Sequence, residues 1–310
     1  MTAPRTLLIS GAARGIGRAI AERALHEGHR LSLGLRQPEV LRGTCLDPAI
    51  AGTDRIHVLD YDANDPGAAD RWVAAAQDWF GGFDSLIHSA GIWLPTPLLF
   101  GDDQSHEPDQ LFRINVMGPW WLTRAAWHQL VAHGDGRIQV LVSMSGKRSK
   151  GRWAGYVTSK FVLMGLCQTM RNEGWEKGIR VTALCPGWVN TDMVKTISPI
   201  APETMTQPED LAALSSRLLE LPREAVPFEL AVSCLPEVRT GGLRSGVNPA
   251  GGIPGRRHFP SRAPDRPPSW QRLGPRLLQW LVASEPAHCR HARNGCVCCR
   301  VRSTIPARCE

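Results

Sequence analysis

The chain alternates between two kinds of apolar pattern. Short runs that are apolar at most positions occupy residues 5–10, 30–35, 55–59, 83–88, 137–143, 179–185 and 228–234. Between them, longer stretches repeat apolar residues at helical spacing. Residues 18–27 carry Ile20, Ala21, Ala24 and Leu25 on one side, and residues 66–80 carry Ala69, Trp72, Val73 and Ala76. The same reading predicts helices over about 107–131, 153–175 and 208–221. Strands that are apolar throughout are buried on both faces. Seven such strands, alternating with helices, predict an α/β fold: a doubly wound parallel sheet with helices on both faces. In a sheet of this kind, ligands gather beyond the carboxyl ends of the strands.

Those ends carry the chemistry. The first strand runs into Ser10-Gly11-Ala12-Ala13-Arg14-Gly15-Ile16-Gly17, followed directly by a helix. Glycines let the backbone turn tightly and approach a ligand, and the free N–H groups of a helix start suit a pyrophosphate. The second strand ends at Arg36. An acid there would accept the ribose hydroxyls of NAD, whereas an arginine suits a 2′-phosphate, with Arg14 as a second cation. This favours NADP(H) over NAD(H). The third strand ends in Asp60-Tyr61-Asp62, where a carboxylate can accept from an adenine amino group, and the fourth in Ala90-Gly91, small enough for a cofactor to pass close by. The fifth ends at Ser143 and the sixth at Pro186-Gly187.

Tyr156 and Lys160 follow Ser143 on a predicted helix, four residues apart and so on one face. A cation beside a phenol favours phenolate and lowers the tyrosine pKa, which makes the pair a proton-transfer device. The Ser143 hydroxyl could hold the reacting oxygen. Asn115 stands inside the 107–131 helix, where its amide competes for backbone hydrogen bonds and marks a local distortion or a buried polar role. Trp120, Trp121 and Trp127 on that helix pack inward or against a second subunit.

Composition divides the chain. Its 310 residues, 43% of them hydrophobic, suffice for one sizeable core. The formal charge of +7 belongs to one end. Residues 241–310 hold twelve arginines, no lysine and three acids, while the first 240 hold 24 basic and 26 acidic side chains. No nucleic-acid partner is therefore expected for the main domain. Five of the nine cysteines (Cys289, Cys296, Cys298, Cys299 and Cys309) also crowd that end, without two clean CxxC pairs, so no metal site is expected. The division read is a single dinucleotide-binding domain over 1–240 and an Arg/Pro/Cys-rich extension over 241–310, disordered or weakly structured. Within the extension, residues 269–284 have the Trp and Leu content of a short amphipathic helix. No apolar run is long enough to span a membrane. The chain enters a strand almost at once, so no secretory leader is expected and the cytoplasm is the default location.

Taken together, the glycine loop, Asn115, Ser143, Tyr156, Lys160 and Pro186-Gly187 resemble the classical short-chain dehydrogenases/reductases over about residues 5–240. Ser10 stands where the family has Thr, and His88-Ser89-Ala90-Gly91 where it has Asn-Asn-Ala-Gly. The resemblance implies a Rossmann-like sheet, a homodimer or homotetramer, and a carbonyl or secondary alcohol as substrate. It implies that Asn115, Ser143, Tyr156 and Lys160 form a catalytic tetrad, with Tyr156 as acid/base and Ser143 orienting the oxygen. Lys160 would lower the Tyr156 pKa and hold the nicotinamide ribose, and Asn115 would support a proton relay. Asp60 would contact the adenine, Thr191 the nicotinamide amide, and Gly187 to Val189 would help close the cofactor site.

Substrate choice is less defined. Trp93, Trp153 and Trp188 each flank one of these motifs, and indoles at a mouth suit a flat or apolar substrate or else pack inward. Lys147, Arg148, Lys150 and Arg152 between Ser143 and Tyr156 steer an anion or form a solvated loop. Two rival functions stand beside the reductase: a non-catalytic dinucleotide-binding protein on the same fold, and nucleic-acid binding through the arginine-rich end.

Overall fold

The computed structural model describes residues 3–235, apart from Lys150 and Thr196. Seven strands, β1 (Thr6–Ser10), β2 (Arg30–Leu35), β3 (Ile56–Asp60), β4 (Ser85–His88), β5 (Arg137–Leu141), β6 (Arg180–Pro186) and β7 (Glu229–Val232), form one sheet in the order β3-β2-β1-β4-β5-β6-β7. Every neighbouring pair is parallel. The seven-stranded doubly wound sheet read from the apolar runs is therefore present.

The helices are α1 (Gly15–His26), a single turn α2 (Pro48–Ala51), α3 (Pro66–Phe80), α4 (Glu107–Phe112), α5 (Gly118–His133), α6 (Ala154–Gly174) and α7 (Pro208–Glu220). Side chains of a strand alternate between faces, and β1 shows the result. Leu7 and Ile9 pack into a core with Ile20 and Ala24 of α1 and Leu218 of α7, whereas Leu8 packs into the opposite core with Trp72 of α3, Leu122 of α5 and Leu163 of α6. The pattern missed α2 and the 3₁₀ turn Pro38–Leu41, which are too short to show a period.

One predicted helix is broken in register. Between α4 and α5, residues Arg113–Met117 form a π turn centred on Asn115. A π turn adds a residue to the helical ladder and occurs mostly at functional sites. At the amino ends of the strands, Arg5 bridges Asp84 (3.0 Å) and Asp135 (2.6 Å), which closes the sheet on the side away from the residues of interest. Among the described residues, no helix is long and apolar enough to cross a membrane.

Candidate active site

The strand order reverses direction between β1 and β4, and the glycine loop lies at that point. Gly11 turns there with φ 75°, and a Cβ on it would sit 2.6 Å from the Ala90 backbone nitrogen, so no side chain fits. Ser10 Oγ accepts from the backbone N–H groups of Ser89 (3.2 Å) and Ala90 (3.3 Å), tying the ends of β1 and β4 together. α1 then begins with no side-chain cap and no acid in its first turn. Its first N–H groups are thus left for an anion, and a dinucleotide pyrophosphate fits them. Gly17 has a packing role in this loop. It is buried under the loop, where a Cβ would lie 2.4 Å from the Gly11 carbonyl oxygen, so it allows the helix to pack rather than the ligand to approach.

A cleft of about 540 Å³ opens above the strand ends. Its wall takes in Gly11, Arg14, Gly15 and Ile16 from the glycine loop, Arg36 after β2, Tyr61 after β3, and Ala90 and Gly91 after β4. Ser143, Tyr156 and Lys160 form the far side with Pro186, Gly187, Val189 and Thr191. Asp60 is not in this wall. It is the last residue of β3 and is exposed, and Asp62 lines the cleft instead. The chain turns after Tyr61, whose ring packs on Trp72 at 4.8 Å, and the Asp62 carboxylate accepts from Asn64 N–H at 2.9 Å within that turn. Met193 also lines the cleft, as the resemblance of the loop after Pro186-Gly187 implies, and so do Asp192 and Val194, which were not anticipated. Arg14 lies 4.0 Å from Asp192 across the mouth, and both side chains are exposed.

The Ser143 backbone has φ 147° and ψ 157°, the only positive φ outside glycine among the described residues. Such a conformation is strained for any residue with a Cβ and persists only where its surroundings impose it. Val142 N–H donates to the Leu184 carbonyl (2.8 Å) before it, and Gly146 N–H to the Ser143 carbonyl (2.9 Å) after it. Burial pushes the pKa of the Tyr156 phenol up to about 12, and the Ser143 hydroxyl opposes this shift by favouring phenolate. Lys160 is buried, donates to the Leu141 carbonyl at 3.0 Å and stands 5.8 Å from the Tyr156 ring centroid. Burial lowers its own pKa to about 8. Desolvation is thus the leading influence on both groups in the cofactor-free protein.

Asn115 is buried in the π turn with its amide fully engaged. It accepts from Ile92 N–H (2.9 Å) and donates to the Ile92 carbonyl (3.0 Å) and to Ser159 Oγ (3.1 Å). Gly91 separates it from Lys160: a Cβ there would lie 3.2 Å from Asn115 Oδ1 and 3.8 Å from Lys160 Nζ. The Asn115 side chain thus fixes the segment after β4 against the helix that carries Tyr156.

The three tryptophans come together. Trp153 meets Trp93 edge-to-face at 5.8 Å and Trp188 at 5.9 Å. In the basic loop, Lys147 is paired with Glu229 of β7, and Lys150 lies outside the described residues. Among the described residues, no group of His, Cys, Asp or Glu is placed to hold a metal ion. The cysteine cluster at 289–309 and the possible helix at 269–284 also lie outside them.

The short chain dehydrogenase family matches this chain over residues 5–201. The chain belongs to that family. It is 36% identical over 231 residues to an agropine synthesis reductase of Rhizobium rhizogenes, a match covering 74% of this chain and 53% of that protein. The chain thus spans about half the length of this curated relative. It is 31% identical over 230 residues to the oxidoreductase UcpA of Escherichia coli K12, covering 73% of this chain and 84% of the relative. A metagenomic short-chain oxidoreductase solved in complex with NADP superposes with a TM-score of 0.62 at 26% identity, over 74% of this chain and 96% of that one. The chain accordingly carries the Rossmann-like sheet of the short-chain dehydrogenase family.

Proposed function

We propose that residues 1–240 form an NADP(H)-dependent carbonyl reductase that interconverts a carbonyl and a secondary alcohol. The observation that carries this reading is the meeting of Ser143, Tyr156 and Lys160 in the wall of the same cleft as the glycine loop. Gly11, Gly15 and Ile16 would hold the dinucleotide, and the exposed Arg14 and Arg36, with no acid ending β2, favour the form bearing a 2′-phosphate. When bound, the reduced nicotinamide supplies the hydride.

The protein supplies the proton and the geometry. At neutral pH the Tyr156 phenol, with its pKa near 12, carries its proton and is ready to donate it. As the substrate carbonyl becomes an alcohol, the phenol O–H bond breaks and a new O–H bond forms on the substrate oxygen. The Ser143 hydroxyl donates to that oxygen and orients it. Lys160 is charged below pH 8, and its cation eases the phenolate that is left behind. Asn115 keeps Ile92 and Ser159 in place, which sets the segment after β4 against this group.

The deciding experiment is NADPH oxidation across a panel of aldehydes and ketones by the wild type and Tyr156→Phe. Loss of the general acid should lower turnover by about 10²–10⁴-fold while dinucleotide binding persists. Equal turnover in the two proteins would overturn the mechanism. Tight dinucleotide binding with no turnover in the wild type would instead favour a non-catalytic binding protein.

A further inference from the structure

The positive φ of Ser143 persists only because neighbours impose it. Two of them grip the segment from opposite sides. Gly146, in the turn after Ser143, packs on α6 so closely that a Cβ would lie 2.8 Å from the Lys160 carbonyl oxygen. Cys185, the last residue but one of β6, is fully buried and shares a core with Val142 and Met144, the residues flanking Ser143.

The ladder between β5 and β6 ends at this point. Leu141 pairs with Leu184, and Val142 N–H donates to the Leu184 carbonyl. One residue on, the Ser143 N–H meets a side chain and donates to the Cys185 sulfur. A buried backbone N–H needs an acceptor, and a thiol sulfur is a weak one. The thiol suits this role. Its S–H points to the Ala183 carbonyl at 3.7 Å, which leaves the sulfur lone pairs for Ser143. Burial pushes its pKa up to about 11, so it remains a thiol at neutral pH. The Ser143 hydroxyl in turn bonds to the Tyr156 phenol and accepts from Ser145 N–H at 3.0 Å. Cys185 therefore reaches the phenol through Ser143, from behind the wall of the cleft.

We infer that Cys185 is a positioning residue for proton transfer: its sulfur receives the Ser143 N–H and so keeps the Ser143 hydroxyl on the Tyr156 phenol. This rests on the catalytic reading of Ser143 and Tyr156.

The test uses two variants of the full chain. Cys185→Ala and Cys185→Ser both remove the bulk of the sulfur, but only serine leaves an acceptor for the N–H, so packing and hydrogen bonding separate. The first readout needs no turnover. The chain has two tyrosines, Tyr61 and Tyr156, so tyrosine labelled with ¹³C at Cζ gives two NMR signals, which Tyr156→Phe assigns. In the cofactor-free protein, Cys185→Ala should move the Tyr156 signal to where Ser143→Ala moves it, and Cys185→Ser should leave it near its wild-type position. With NADPH and an accepted carbonyl, Cys185→Ala should lower kcat roughly tenfold, the effect expected of a buried N–H left without a partner, with KM for NADPH little changed. Cys185→Ser should recover most of that loss. A Tyr156 signal that stays in place in Cys185→Ala, or moves equally in Cys185→Ser, would overturn the assignment whatever happens to turnover, since a packing role would act alike in both. So would an unchanged kcat for Cys185→Ala of an active enzyme. The expected pattern of signals in a protein inactive on every carbonyl would keep Cys185 as the anchor of Ser143 and overturn only the catalytic reading.

Discussion

The Lys160 ammonium donates to the Leu141 carbonyl at 3.0 Å, which anchors α6 to the end of β5 beneath Tyr156. A buried cation held by one carbonyl is costly, and burial brings the Lys160 pKa from 10.5 to about 8. The folded protein therefore bears the cost of the charge below pH 8. Between pH 8 and 10.5 it has released a proton that the unfolded chain still holds, so stability rises with pH through that window. Lys160→Met removes this dependence. In the cofactor-free protein, its stability relative to wild type should fall by about 1.4 kcal/mol per pH unit between pH 8 and 10.5, as urea denaturation at a series of pH values would show. A constant difference would place the charge elsewhere. Turnover of Lys160→Met should be at least about 100-fold lower at pH 7.

Ser143 holds a backbone conformation proper to glycine. Ser143→Gly and Ser143→Ala both lose the hydroxyl, including its bond from Ser145 N–H (3.0 Å), but only the first relieves the backbone. Ser143→Gly should be the more stable of the two by about 1 kcal/mol, the strain relieved less the greater freedom of glycine in the unfolded chain. Both should lose activity. The comparison is made by urea denaturation, and equal stabilities would show that the strain is absent.

His88 ends β4 fully buried, with its Nε2 2.9 Å from Thr123 Oγ1. Burial lowers its pKa from 6.5 to about 3, so it stays neutral in the fold while the unfolded chain takes up a proton. Its share of stability is complete above pH 6.5 and is lost as pH falls towards 3. His88→Asn should reduce the acid sensitivity by about 1.4 kcal/mol per pH unit below 6.5. Denaturation curves at pH 7.0, 5.5 and 4.5 would test this, and parallel losses in both proteins would refute it.

Cofactor choice should follow the arginines at the mouth. Arg36 is exposed at the end of β2, and Arg14 is weakly paired with Asp192 at 4.0 Å. Arg36→Ala should raise KM for NADPH roughly tenfold while changing KM for NADH little. Asp192→Asn frees Arg14 and should lower KM for NADPH, an effect that fades as salt screens exposed charges. Parallel changes for the two dinucleotides would remove the case for a 2′-phosphate.

Much of this was legible in the chain. Continuous apolar runs marked the seven strands, and the inner ones are apolar because both their faces are covered, while the edge strands β3 and β7 are only half-buried. Ser143, Tyr156 and Lys160 lie close in sequence, so strand and helix geometry alone put them at one strand end. Asn115 announced a distortion because asparagine fits a helix interior poorly, and the helix is indeed broken there by a π turn. Gly17 and Asp60 lie outside the cleft wall for a shared reason. A motif gives the order of residues along a loop, but not which of them faces the ligand and which faces the packing beneath.

The sequence by itself determined the sheet, its ligand-bearing edge and the set of groups able to move a proton. Those follow from periodicity and short spacings, which are properties of contiguous residues. Only the tertiary structure decided the condition of those groups. Burial of Lys160 and Tyr156 depends on walls drawn from several strands. The strain at Ser143 is imposed in part by β6, Lys147 is claimed by Glu229, 82 residues away, and the indole cluster joins three separate segments of the chain. Hydration, backbone strain and charge pairing depend on neighbours in space, and neighbours this far apart in sequence leave no local pattern to read.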